Sequence, residues 1–286
     1  MRHGRRALLA VHLAINATWL GAAAATLVVE AAKSPESATG IDRAVFLVRE
    51  WIVFPASVLV VGTGALFALF TPWGVLRHRW VLVKWLGLFG LGALNLAVTG
   101  PACNALAALS DVDGAAAVGA PAYQSWQERV QAFTAAELAL LLALFALSVW
   151  KPWGKTRLPE PRRRVARIVA VVLAVVGLGF YLPARIVQGR IRGQAIAAID
   201  VGRIPDGSYR GRSPQAGFDY EVSVVIAAHR IARVVVERNR EGLYATLAAG
   251  VARKIERAGR IDVDAVTGAT TSSRALQKAA EAALTR

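Results

Sequence analysis

Near the C-terminus, Asp264 is followed by Ala265, Val266, Thr267, Gly268, Ala269, Thr270, Thr271, Ser272 and Ser273. Hydroxyl side chains crowd a Gly-Ala pair at the point where an extended pattern gives way to an amphipathic helical one. Gly268 permits a tight bend and a close backbone approach. A helix start just beyond it offers unpaired N–H groups and the positive end of the helix dipole, which together suit a phosphate. Capping by Thr271 or Ser272 would occupy one hydroxyl. It leaves the Gly-Ala placement and the threonines at 267 and 270 unexplained.

Few other residues offer chemistry. Cys103 is the single cysteine, so an intramolecular disulfide and a thiolate metal cluster are excluded. Four histidines and one methionine leave little for a soft metal, and no metal site is expected. His12, Asn16 and Trp19 share one face of an apolar helix. His12 has no second buried histidine with which to ligate haem, so an interhelical hydrogen bond is expected. Lys84 is expected to snorkel to an interface. Glu137, three residues after Thr134, reads as a capping box at a helix start.

These residues sit in a chain whose composition points to a membrane. Of 286 residues 55% are hydrophobic, and the mean hydropathy is +0.44. A span takes about 20 apolar residues, and five segments qualify or come close: Ala7–Val29, Trp51–Phe70, Trp80–Val98, Ala132–Trp150 and Val165–Leu182. Trp51, Trp73, Trp80, Trp150 and Trp153 fall at span ends, as an interfacial aromatic belt would. The net charge of +15 lies beside these segments, so it reads as topology and not as a nucleic-acid surface. Bases gather at the N-terminus (Arg2, Arg5, Arg6), around Arg77 and Arg79, and between Lys151 and Arg167. The connections Glu30–Glu50 and Gly100–Gln131 are acidic or balanced. The positive-inside rule then puts the N-terminus in the cytoplasm and everything after Leu182 outside. Arg185, Arg190 and Arg192 resist that assignment.

From about residue 187 the pattern changes. "GSYRGR" reads as a short strand, and "DYEVSVVIA" alternates Tyr220, Val222, Val224 and Ile226 on one face. "AHR" makes a tight connection to a returning strand, "IARVVVERN". A helix over Gly242–Ala258, an extended run "IDVDAV" and a closing amphipathic helix complete a small α+β domain. The expected architecture is an α-helical membrane bundle over residues 1–186, followed by an α+β domain over 187–286.

"DAVTGAT", Asp264 to Thr270, resembles the flavinylation motif of the FMN-binding domain family, found in the FMN subunits of sodium-translocating NADH:quinone reductase and Rnf-type complexes. Asp264, Thr267, Gly268, Ala269 and Thr270 match position by position, and the likeness extends upstream to "DGSYRGR", covering about residues 200–286. The connection at His229-Arg230 departs from the Asp-Gly or Lys-Gly common in the family. The resemblance implies FMN held as a phosphoester on Thr270, attached by an extracytoplasmic flavin transferase that uses FAD, with Thr271 and Ser272 beside it. It implies an electron-transfer component in a bacterial cytoplasmic membrane, a redox subunit and not a complete enzyme, so no catalytic residue is assigned. The electron donor would come from the membrane, a quinol or a haem protein. The alternative is a transporter or assembly factor with a flavin-sensing tail. Its mark would be paired charges or broken helices at mid-membrane.

Overall fold

The computed structural model describes residues 2–71, 73–157, 159, 164, 183–215 and 217–285. The chain forms two compact units. One comprises Met1–Cys103 with Ser125–Gly179, the other Asn104–Gln124 with Phe180–Arg286.

Four helical runs are long and apolar enough to cross a membrane: Gly4–Ala31, Ala38–Phe70, Arg79–Gly119 and Pro121–Trp150. They contain the first four expected spans. The fifth, Val165–Leu182, lies outside the described residues. The helices are α1 (Arg2–Ala31), α2 (Ala38–Val48), α3 (Phe54–Phe70), α4 (Arg79–Leu94), α5 (Gly100–Asp113) and α6 (Pro121–Trp150). The stretches expected as connections, Glu30–Glu50 and Gly100–Gln131, are therefore largely helical. Their Ala-rich sequences favour helix, and nothing obliges a helix to end where the hydrocarbon does.

In the first unit Trp19, Val60, Leu91, Leu141 and Leu144 form the buried centre. Leu86, Leu96 and Phe70 point outward at 72%, 74% and 62% exposure, as lipid-facing side chains do. Polar residues tie the helices together. The Trp19 indole N–H donates to Glu137 Oε1 at 2.7 Å, and Asn95 Nδ2 donates to the same oxygen at 3.3 Å. Arg49 donates to the Asn95 carbonyl at 3.1 Å and to its side-chain oxygen. Both residues open π-helical turns, Arg49–Val53 and Asn95–Thr99, and such turns free carbonyls for outside donors. Glu137 is thus no cap, because α6 begins 16 residues earlier; it is a buried acceptor shared by two helices. Lys84 does not snorkel but donates to Ser148 Oγ at 2.8 Å. His12 makes the expected interhelical bond, Nδ1 to Thr63 Oγ1 at 2.6 Å. Trp51, Trp150 and Trp153 are exposed as an aromatic belt requires, whereas Trp80 is 6% exposed and belongs to the core.

In the second unit residues 183–192 are helical (α7). An antiparallel sheet follows in the order β1 (Gly207–Gln215), β2 (Phe218–Ala227), β3 (Arg230–Arg238). Tyr220, Val222, Val224 and Ile226 are all buried, so the period-two alternation identified the core face of β2. The β2–β3 turn is Ala228-His229, one residue earlier than the expected His229-Arg230, with φ of 51° and 56°. Two left-handed residues suit a two-residue hairpin but disfavour side chains. Asp206 offsets this, its carboxylate accepting from both turn N–H groups at 2.8 and 3.0 Å.

The helix expected over Gly242–Ala258 is interrupted at Ala249 into α8 (Leu243–Ala248) and α9 (Gly250–Ala258). The run 261–266 does not join the sheet. Its carbonyls instead meet Gln277, whose fully buried amide donates to Ile261 O at 3.0 Å and Val263 O at 2.7 Å. Gln277 lies on α10 (Thr270–Leu284). α10 packs on β1 at Gly211, where a Cβ would stand 2.2 Å from the Ala279 carbonyl oxygen.

Candidate functional site

The hydroxyl-rich turn is set by three short bonds. Ala269 N–H donates to Val266 O at 3.0 Å, which closes the bend around Gly268. Ser273 N–H donates to Ala269 O at 2.9 Å, which begins the α10 ladder. Ser273 Oγ accepts from Val266 N–H at 3.2 Å and pins the incoming strand to the helix.

The helix therefore starts at Thr270, earlier than expected, and Ala269 is its N-cap without a side-chain bond. Neither Thr271 nor Ser272 caps it. Both are buried inside the first turn. Thr271 Oγ1 accepts from Arg192 Nε at 2.7 Å. Ser272 sits beside the Tyr220 phenol, which burial pushes up while the Ser272 hydroxyl works against that shift. The Tyr220 hydroxyl is enclosed without closing a well-formed hydrogen bond. Thr270 is different. It is half-buried, and its hydroxyl makes no hydrogen bond among the described residues.

Gly268 has φ +78°, and a Cβ there would lie 2.7 Å from the Asn104 carbonyl oxygen and 3.0 Å from its Cα. The turn thus rests on the 104–113 stretch of α5 within the second unit. Asp111 reinforces the contact, its Oδ2 accepting from the Thr267 N–H at 2.8 Å and from Lys254 Nζ at 3.0 Å. Lys254 also reaches the Asp264 carbonyl at 3.4 Å. Asp113 receives Arg253 at 2.7 Å and Arg257 at 3.2 Å, so α9 is fastened to the same stretch. Asp264 itself is exposed and contributes its carbonyl, with no side-chain bond among the described residues.

Asp264, Thr267, Gly268, Ala269, Thr270, Thr271 and Ser272 are thus brought together at one helix start. Asn104, Asp111, Lys254 and Arg192 join them without having been picked out from the sequence. In the sequence Asp111 is one acid of the Gly100–Gln131 connection, and Arg192 is a base on the side assigned to acidic segments. That last anomaly was the one available signal.

Chemically, the arrangement presents an unengaged hydroxyl at the first residue of a helix. Backbone N–H groups of the first turn surround it, and the next residue, Thr271, accepts from Arg192. Such a site receives a phosphate. A family model described as FMN-binding domain matches residues 217–285, which include this turn, α8 to α10 and the β2–β3 hairpin. No curated protein and no solved structure matches. The C-terminal part of the chain is an FMN-binding domain, preceded by helices long and apolar enough to cross a membrane.

Proposed function

We propose that this chain is a membrane-anchored flavoprotein that carries FMN as a phosphoester on Thr270, outside the cytoplasm of a bacterium, and serves as an electron-transfer component. The carrying observation is Thr270 itself. Within an FMN-binding domain, its half-buried hydroxyl has no hydrogen bond among the described residues and stands at the first residue of α10. The neighbouring hydroxyls are engaged or enclosed, Thr271 by Arg192 and Ser273 by Val266.

In the attachment step Thr270 Oγ attacks the flavin-side phosphorus of FAD. The new O–P bond forms as the bond to AMP breaks, AMP departs, and the hydroxyl proton passes to a base of the transferase. First-turn N–H groups of α10 are placed to hold the charge that remains on the diester. Bound FMN supplies reversible transfer of one or two electrons. The Gly268 turn and Asn104 give the site a backbone wall that no side chain could share. Covalent attachment suits an extracytoplasmic site, where dilute free FMN would let a noncovalent site empty by mass action.

The second unit supports the topology. It unites the 104–124 segment, where the third and fourth apolar runs meet, with residues 183 onward. On this reading both lie on one side of the bilayer, and α6 takes the chain to the other side by Trp150. A further crossing is needed before residue 183, where the sequence offers Val165–Leu182. The basic residues after Trp150 favour the cytoplasm for that opposite side. The electron donor on this reading is a membrane quinol or a haem protein.

Two measurements test this. Expressed with and without a flavin transferase and then denatured, the chain should fluoresce as a flavoprotein band only with the transferase, and Thr270→Ala should not. A well-expressed, transferase-supplied wild type without a band would end the covalent reading. For orientation, His229→Cys is exposed on the hairpin, whereas native Cys103 is buried. An impermeant maleimide should label it in intact spheroplasts; labelling only after lysis would reverse the topology.

A further inference from the structure

We propose that the first unit holds one anionic phospholipid between α1, α3, α4 and α6, with its phosphate at Lys84 and Lys151 and part of an acyl chain in the apolar cavity beside them. The inference is independent of the flavin reading, because every residue it uses lies in the first unit.

Three observations carry it. The first is the cavity, which measures about 270 Å³, close to the lower bound of about 300 Å³ for pockets that enclose a small molecule. Phe67 from α3, Trp80 and Leu88 from α4 and Leu144 from α6 make its walls apolar. Apolar walls of this kind exclude water and accept hydrocarbon.

The second observation is the sign of the charge. Lys84, Lys151 and His12 line the cavity, and among the described residues no Asp or Glu does. Lys84 Nζ donates to Ser148 Oγ at 2.8 Å, and that hydroxyl donates its own proton to the Leu144 carbonyl at 2.7 Å. An ammonium carries three donors, so two of those on Lys84 have no acceptor among the described residues. A neutral hydroxyl does not balance a cation at membrane depth, where an unpaired charge is costly. A phosphate supplies both of the missing things, acceptor oxygens and a negative charge. A neutral quinone would satisfy the donors and leave the charge.

The third observation is the rim. Lys151 and Arg5 both stand over the Trp73 ring, 5.3 Å and 5.2 Å from its centroid, and Trp73 lines the same cavity. Cations therefore gather at the end of the unit where α4 begins and α6 ends. Basic pockets between spanning helices collect anionic headgroups in this way. A zwitterionic lipid would bring its own ammonium to a mouth that already holds cations, so a net negative lipid is favoured.

The test uses the full chain in detergent, offered equal amounts of phosphatidylglycerol and phosphatidylethanolamine, with bound lipid counted by native mass spectrometry. Wild type should retain one phosphatidylglycerol, preferred about tenfold, as a charge-assisted hydrogen bond implies. Lys84→Met should lose the preference and Lys84→Arg should keep it. Lys155→Gln, which removes an exposed base outside the cavity, should leave it unchanged. Phosphatidylglycerol with a diazirine in its acyl chain should crosslink to Leu88 and Leu144 inside the cavity. Equal retention of the two lipids by wild type overturns the proposal, whether or not Lys84→Met folds. A preference that survives in folded Lys84→Met overturns it, as do crosslinks confined to the outward-facing Leu86 and Phe89. A quinone or a fatty acid recovered in place of phospholipid overturns it as well.

Discussion

Replacing Gly268 by alanine measures how tightly the proposed attachment turn is clamped. Two costs are involved, and the structure separates them. Gly268 holds φ +78°, where an L-residue costs about 1–2 kcal/mol. Its new Cβ would also meet the Asn104 backbone at 2.7 Å and 3.0 Å, and overpacking adds roughly 1–3 kcal/mol. Gly217 supplies the control, because it has φ +85° and open space where a Cβ would go. Gly217→Ala should therefore show the conformational cost alone, while Gly268→Ala should show both. For a domain of this size each kcal/mol lowers the melting temperature by about 4–8 °C. The expected falls are about 5–15 °C for Gly217→Ala and roughly 10–30 °C for Gly268→Ala, from the same two costs. The assay is thermal unfolding of the full chain in detergent, followed by flavin labelling of the surviving fraction. Gly268→Ala should also lose most labelling, and Gly217→Ala should keep it. If Gly268→Ala melts no lower than Gly217→Ala and labels normally, the turn does not rest on Asn104 and the clamp argument fails.

Gln277→Leu strips the donor from two buried carbonyls, Ile261 O and Val263 O. At about 1–3 kcal/mol for each stranded group it should destabilise the domain by roughly 2–6 kcal/mol, read as a lower melting temperature. Asp111→Ala frees the Thr267 N–H and Lys254. Amide exchange at Thr267 should quicken about tenfold or more, a loss of about 1–3 kcal/mol, and Asp111→Asn should recover part of the protection. Asp206 and Asp219 hold their carboxyls below the usual range, Asp206 through the His229 and Ala228 N–H groups and Asp219 through Arg212. Their contribution is therefore present above about pH 4, the unfolded value, and is lost as pH falls through the lower folded-state values. An acid titration of stability should show this, with a shallower slope in Asp206→Asn. Glu137→Leu removes the acceptor shared by Trp19 and Asn95. It should cost about 1–3 kcal/mol and shift the Trp19 fluorescence.

Much of this was legible in the sequence, and the parts that were not share a physical cause. Apolar length located the first four spans, and alternation located the β2 core face, because burial repeats with the backbone period. Neither signal says where a helix stops beyond the hydrocarbon. So Gly100–Asp113 looked like a connection and Glu137 looked like a cap. Pattern also cannot distinguish a run paired in a sheet from one held by a single side chain. That is why 261–266 read as an ordinary extended run, although Gln277 does the work of a neighbouring strand.

The hydroxyl-rich turn shows the same division. Residues 264–273 announced themselves because glycine and hydroxyls at a helix start are a local arrangement. Their supports are distant in sequence: Asn104 and Asp111 lie more than 150 residues upstream, and Arg192 lies 79 residues before Thr271. A motif records what must be adjacent along the chain, and a charge partner need only be adjacent in space. The misfit of Arg192 with the positive-inside rule was the one trace such a partner left in the sequence. The bond from Arg192 to Thr271 joins α7 to the start of α10, a juxtaposition that no local stretch of sequence records.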